Sequence, residues 1–299
     1  MKRGRIRPRC QPTGFSLVEL AIVLFIVGIL MLSLMSTLSS QIDQRNIDDT
    51  RRRLEQAREL VLTFAIVNGR LPCPARSNSV GAEVRVADND LVGANRGRCQ
   101  DATPVEDYYG GTVTAGVTGG LLPAQTIGFQ QTDAAGFAVD AWGNRIRYAV
   151  ARTIVNCSGT NTLPHFTYSV NLRGNGITCQ PNDLLVCKSV TAPVNPQPNP
   201  GASPPSCGGG GANQIMSSGT VVAIVFSTGK NGANTAIAGA DEAANIKAAA
   251  SGLAPTINSL FVFHTPTPST VANGEFDDQF TWITAGELYG KLISAGVLP

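Results

Sequence analysis

Residues 15–38 form a run of 24 residues in which Glu19 is the only charged side chain. No other feature constrains the fold as strongly, because a helix needs roughly 20 apolar residues to cross the hydrocarbon core of a bilayer. Lys2, Arg3, Arg5, Arg7 and Arg9 precede the run with no acidic residue among them. The basic flank is therefore expected to stay in the cytoplasm and the bulk of the chain to be exported. A cleaved secretory signal has a shorter apolar core, about 7–15 residues, ended by a small-x-small site. Met35-Ser36-Thr37-Leu38-Ser39-Ser40 offers no Ala-x-Ala and a helical pattern runs on past it, which favours a retained anchor over a removed signal.

The stretch Thr13-Gly14-Phe15-Ser16-Leu17-Val18-Glu19-Leu20 resembles the start of type IV pilin and type II secretion pseudopilin precursors. Their signature is a basic leader ending in Gly, then Phe, three residues, Glu and an apolar helix. Gly14, Phe15 and Glu19 match it position for position, although the leader of 14 residues is longer than many. The resemblance implies cutting after Gly14 by a membrane-embedded prepilin peptidase and N-methylation of the new Phe15 terminus. It further implies a single-pass inner-membrane protein with its globular domain in the periplasm or in an extracellular filament. Its partners would be other pilin or pseudopilin subunits and the inner-membrane assembly platform.

Glu19 also stands out on physical grounds, since an ionisable group inside an apolar span is costly and usually has a partner or a function. The helix dipole softens that cost near the helix start. A carboxylate snorkelling to the headgroups would need no partner. The resemblance implies the other reading, in which Glu19 of one subunit neutralises the Phe15 ammonium of a neighbour in a filament core.

Beyond the span, Ile47, Leu54, Ala57, Val61 and Phe64 recur at helical spacing, flanked by Leu60 and Ala65, while Asp48, Asp49, Arg51, Arg52, Arg53, Glu55 and Arg58 fill other faces. No Pro interrupts residues 15–68, so one helix about 80 Å long is expected. Asn68-Gly69 followed by Pro72 supplies its stop. The expected organisation is a removed leader (1–14), a transmembrane half-helix (15–38), an amphipathic half-helix (39–70) and an exported globular pilin-like domain (71–299). The expected fold class is α+β: a long N-terminal helix packed on a mainly antiparallel sheet, with long disulfide-pinned loops.

Removing the leader takes away five of the 23 basic residues and none of the 21 acidic ones, leaving a side-chain charge of −3. Nothing in that balance points to nucleic acid. Of seven cysteines, Cys10 leaves with the leader; Cys73, Cys99, Cys157, Cys179, Cys187 and Cys207 remain. An even count in an exported chain reads as disulfides. Six cysteines allow 15 pairings, and Cys73 with Cys99 is the local choice because both flank one loop-rich segment. A zinc site is the rival, but there is no C-x-x-C pair, and His165 and His264 lie far apart.

Residues 71–141 read as mostly loop with short elements. Strands are expected at residues 145–150, 166–172, 183–189, 220–227, 259–264 and 280–283, with residues 221–226, apolar throughout, as the central strand covered on both faces. Residues 193–211 carry six prolines and five glycines around Cys207 and read as a surface loop pinned by that cysteine. Asp140-Ala141-Trp142-Gly143-Asn144, Phe226-Ser227-Thr228-Gly229-Lys230-Asn231-Gly232 and Asp277-Asp278 before Trp282 are similar, in order, to a major-pseudopilin pattern: D-P-W-G-N, then S-x-G-x-D/N-G, then an acid before a Trp. In that group the last two segments cradle a calcium ion, so the resemblance implies one held by Asp277, Asp278 and the loop starting at Ser227. Ala141 stands where that group has Pro, and Lys230 sits inside the loop. Calcium takes six to eight oxygens from such carboxylates and carbonyls. Two solvated acids capping a turn would need no ion.

No G-x-S-x-G elbow occurs, and Gly229-Lys230 lacks the earlier glycine of a phosphate loop, so no catalytic site is expected. The expected function is a filament subunit. The alternatives are an adhesin or ligand-binding module on a pilin stalk, and a signal-anchored periplasmic enzyme.

Overall fold

The computed structural model describes residues 16–89, 95–101, 105–114, 116–153, 163–190, 206–207, 211–232, 239–247, 259–271 and 274–298, with the backbone alone for 32–40. It divides into two units, one ending at Asn46 and one beginning at Ile47. Helix α1 (Leu17–Asn68) contributes to both. Its start is a reciprocal cap: the Glu19 N–H donates to Ser16 Oγ at 3.2 Å, and the Ser16 N–H donates to Glu19 Oε2 at 2.9 Å. Two otherwise unpaired amides of the first turn are thereby satisfied. At the other end Gly69 takes φ +65° and its N–H donates to the Ala65 carbonyl at 2.8 Å, the left-handed stop expected from Asn68-Gly69.

In the first unit, every described side chain from Leu17 to Met31 is exposed. No helix among the described residues is long and apolar enough to cross a membrane. Leu17 to Met31 alone would cover about 22 Å, short of the ~30 Å hydrocarbon core. The expected span of residues 15–38 extends beyond the described side chains at both ends.

In the second unit, α1 buries Leu54, Ala57, Val61, Leu62 and Ala65, one stripe at spacings of three and four. That stripe belongs to one core with a three-stranded antiparallel sheet in which Val221–Ser227 lies between Arg147–Val150 and Gln279–Thr284. A hairpin of β1 (Gly111–Thr114) and β2 (Val117–Gly119) and the single turn α2 (Ala124–Ile127) precede β3 (Arg147–Val150). After α3 (Ser169–Asn175) come β4 (Leu185–Cys187), β5 (Gln214–Met216) and β6 (Val221–Ser227). The chain closes with α4 (Ala240–Asn245), β7 (Leu260–Val262), β8 (Gln279–Thr284) and α5 (Ala285–Ser294). All seven residues of β6 are buried, as its apolar sequence predicts for a strand covered on both faces. A second sheet, order β5-β4-β7, pairs β4 antiparallel to β5 and parallel to β7.

The strand expected at residues 166–172 is not one: Ser169–Asn175 is helical. Phe166, Tyr168, Val170 and Leu172 alternate as a strand would, yet Val170 is exposed and Leu172 fully buried. The Leu172 N–H donates to the Tyr168 carbonyl, so the apolar pair is read at helical spacing of four. Disulfides join Cys73 to Cys99, as expected, and Cys187 to Cys207. Cys179 is also disulfide-bonded, and Cys157 lies outside the described residues.

Candidate metal centre

Two loops and the first turn of α4 converge beside the end of β6. Its last residue, Ser227, leads into a turn in which Gly229 takes φ +63°. An added Cβ at Gly229 would lie 2.0 Å from Asp277 Oδ1, so only glycine lets the two segments approach this closely. The Lys230 and Asn231 N–H groups donate to Asp277 Oδ2 at 2.8 and 3.3 Å. The expected meeting of the 227–232 loop with Asp277 is therefore present, and Lys230 is exposed.

The acidic cluster is formed by Glu242, Asp277 and Asp278, each offering one oxygen within 4.8 Å of the others. Glu242 comes from the first turn of α4 and was not marked by the sequence reading. Its Oε1 accepts from the Asp277 N–H at 2.9 Å and from Asn231 Nδ2 at 3.3 Å. Asp278 Oδ2 accepts from Asn245 Nδ2 at 2.7 Å. After these bonds, Glu242 Oε2, Asp277 Oδ1 and Asp278 Oδ1 remain buried without a hydrogen-bond partner, as does Asn231 Oδ1.

Unsatisfied buried acceptors are rare in folded proteins, and several converging ones ask for a proton or a cation. Burial and then the neighbouring Asp277 push Glu242 up to about 7. Burial likewise raises Asp277, and lifts Asp278 well above the ordinary carboxylate range. An all-oxygen donor set of this kind suits a hard cation such as calcium. The residues present therefore fit the implied ion, which Asp277 and Asp278 would help to hold.

Ser227 is placed differently from the expectation. Its hydroxyl donates to Asp140 Oδ2 at 2.6 Å and accepts from the Gly229 N–H at 3.1 Å, so its side chain braces the loop and is not one of the three clustered groups. Gly14 and Phe15 lie outside the described residues, while Glu19 is exposed and held by Ser16. No family model, curated protein or solved structure matches the chain.

Proposed function

We propose that this chain is a structural subunit of a type IV pilus-like or type II secretion pseudopilus filament, inserted in the inner membrane by its N-terminal helix and assembled through it. The observation that carries the reading is a contrast along α1. Its apolar side chains are exposed from Leu17 to Met31, whereas Leu54, Ala57, Val61, Leu62 and Ala65 are buried in the core of the second unit. An exposed apolar segment of that size requires a lipid or protein environment of its own. In a filament the environment would be the same segment of neighbouring subunits. Glu19 supports the reading: with Phe15 as a free ammonium terminus after cutting at Gly14, the two charges could be buried together as a pair.

Two variants test it. Gly14→Val should leave an uncut precursor in the membrane, and N-terminal sequencing of the parent should read from Phe15; a mature terminus near Ser40 would sink the proposal. Glu19→Ala should leave processing intact while reducing cross-linking between subunits, because it strands a buried ammonium without its partner. Undiminished cross-linking would refute the pairing.

A further inference from the structure

We propose that the groove between α1 and β8 binds a neutral saccharide chain, with one sugar ring in each of two adjoining cavities. The inference does not depend on the filament reading, since every residue in it belongs to the second unit.

The first observation is the shape. A cavity of about 350 Å³ is lined by Glu55 and Arg58 of α1 and by Phe280, Thr281 and Trp282 of β8. A second, of about 270 Å³, is lined by Arg51 of α1, by Phe263, His264 and Pro266 after β7, and by Gln279 and Phe280 of β8. Phe280 is common to both. Arg51, Glu55 and Arg58 follow one another at steps of four and three, so one face of α1 walls both cavities. Each is near the lower end of small-molecule sites, about 300–1,000 Å³, which suits roughly a single sugar ring.

The second is the set of rings and polar groups. Phe280 stacks on Phe226 with centroids 4.8 Å apart, and Phe263 packs against Phe280 at 5.6 Å and Trp282 at 5.7 Å. His264 stacks on Phe276 at 3.9 Å. The rings are thus fixed by one another, and fixed rings offer contact area with little to order on binding. Around them, Gln279 Oε1 is buried without a hydrogen-bond partner, an acceptor that asks for a donor from outside. Arg51 is exposed and makes no ion pair among the described residues, so its guanidinium is a free donor. Glu55 Oε1 accepts from the Thr281 hydroxyl at 3.1 Å, and Arg58 donates to both Glu287 oxygens, which holds these two walls in place.

A matching ligand offers an apolar face to the rings and, at its rim, a donor for Gln279 and an acceptor for Arg51. It carries no net charge, because Glu287 neutralises Arg58 and Glu55 offsets Arg51 along the wall. Asp278, which also lines the second cavity, already accepts from Asn245. A neutral sugar meets these terms: its C–H faces are apolar, and each hydroxyl both donates and accepts. An extended peptide would have to pair with the main chain of β8. Arg58 Nε already donates to the Trp282 carbonyl at 3.0 Å, so that position is taken.

The test uses the full chain in a detergent without a sugar headgroup, carrying Trp142→Phe so that Trp282 is the one indole left. It is titrated with cellobiose, lactose, maltose and N,N′-diacetylchitobiose, and separately with glucosamine and a neutral Val/Thr tetrapeptide. At least one of the four disaccharides should shift the Trp282 emission saturably, with an affinity in the millimolar range. Arg51→Ala and Gln279→Ala should each weaken that binding at least threefold at an unchanged melting temperature. Phe263→Ala should abolish it and Phe263→Tyr should keep it, which separates loss of the ring from loss of the fold. No saturable response to any disaccharide at tens of millimolar overturns the proposal, as does tighter binding of glucosamine or of the tetrapeptide. Parent-like affinity in both Arg51→Ala and Gln279→Ala overturns the assignment to this groove.

Discussion

The Ser227 hydroxyl donates to Asp140 Oδ2 at 2.6 Å across a sequence separation of 87 residues. Asp140 Oδ1 meanwhile accepts from the N–H groups of Trp142 and Asn144, and Asn144 Nδ2 donates to the Gly229 carbonyl at 2.6 Å. The Asp-Ala-Trp-Gly-Asn turn before β3 and the turn after β6 are thus one bonded unit. Arg53 of α1 joins it by donating to the Val139 and Asp140 carbonyls.

Asp140→Ala is therefore expected to cost about 2–3 kcal/mol, since it leaves the buried Ser227 hydroxyl and two half-buried amides without an acceptor. Ser227→Ala should cost only about 1 kcal/mol. The double variant should be less destabilised than the sum of the two, because the bond is shared. Urea unfolding of the three variants measures this, and strict additivity would show that the contact contributes nothing.

Gly229→Ala is expected to destabilise by about 1–3 kcal/mol, from the left-handed backbone and from the collision with Asp277. It should also weaken calcium binding, because the Cβ occupies the space of the Asp277 carboxylate. Thermal unfolding with and without calcium separates the two effects: the melting shift between those conditions should shrink.

His165 supplies a pH dependence whose sign is fixed. It is fully buried, and its Nε2 lies 3.1 Å from the Tyr289 hydroxyl, which itself donates to the Cys179 carbonyl. Tyr289 thus accepts from Nε2–H of the neutral imidazole, whose Nδ1 is buried without a hydrogen-bond partner. Burial lowers its pKa from 6.5 to about 4. The unfolded chain takes up this proton first as pH falls, so the contribution is full above pH 6.5 and is lost towards pH 4, amounting to about 3 kcal/mol. His165→Asn should remove that part of the slope. The difference between parent and variant is the quantity to measure, because the raised carboxyls of Glu242, Asp277 and Asp278 slope the opposite way.

The Cys187–Cys207 bond closes a loop of 20 residues. Loop-closure entropy gives it about 3 kcal/mol of stabilisation. A Cys187→Ser/Cys207→Ser double variant should lose about that much in urea unfolding. An unchanged midpoint would mean the loop is already closed by other contacts.

Much of this arrangement could be read from the chain because it is local. The apolar run Val221–Phe226 has no face left for water, and Asn68-Gly69 ends a helix by backbone chemistry alone. Glu242 was not legible: it lies 35 residues before Asp277 in an alanine-rich stretch, and only the fold of α4 brings the two together. Helix α5 was missed although it carries its own start signal, with the Thr284 hydroxyl accepting from the Glu287 N–H and Leu288 and Leu292 on one face. Glu287 in turn receives Arg58 through both carboxylate oxygens at 2.5 and 2.6 Å. The strand expected at residues 166–172 is not formed because Phe166, Tyr168, Val170 and Leu172 satisfy period two on paper, whereas Val170 is exposed and Leu172 lies one helical turn from Tyr168.

The Cys73–Cys99 bond sits just past the end of α1, and that position matters if the molecule is pulled. Tension entering along α1 and leaving anywhere beyond Cys99 passes through the sulfur bridge, so the segment between the two cysteines carries no load. Fully drawn out, that segment would otherwise lengthen the chain by about 80–90 Å. Reducing agent should therefore add a discrete extension step of that size in a single-molecule stretching record, making the bridge a mechanical fuse as well as a fold constraint.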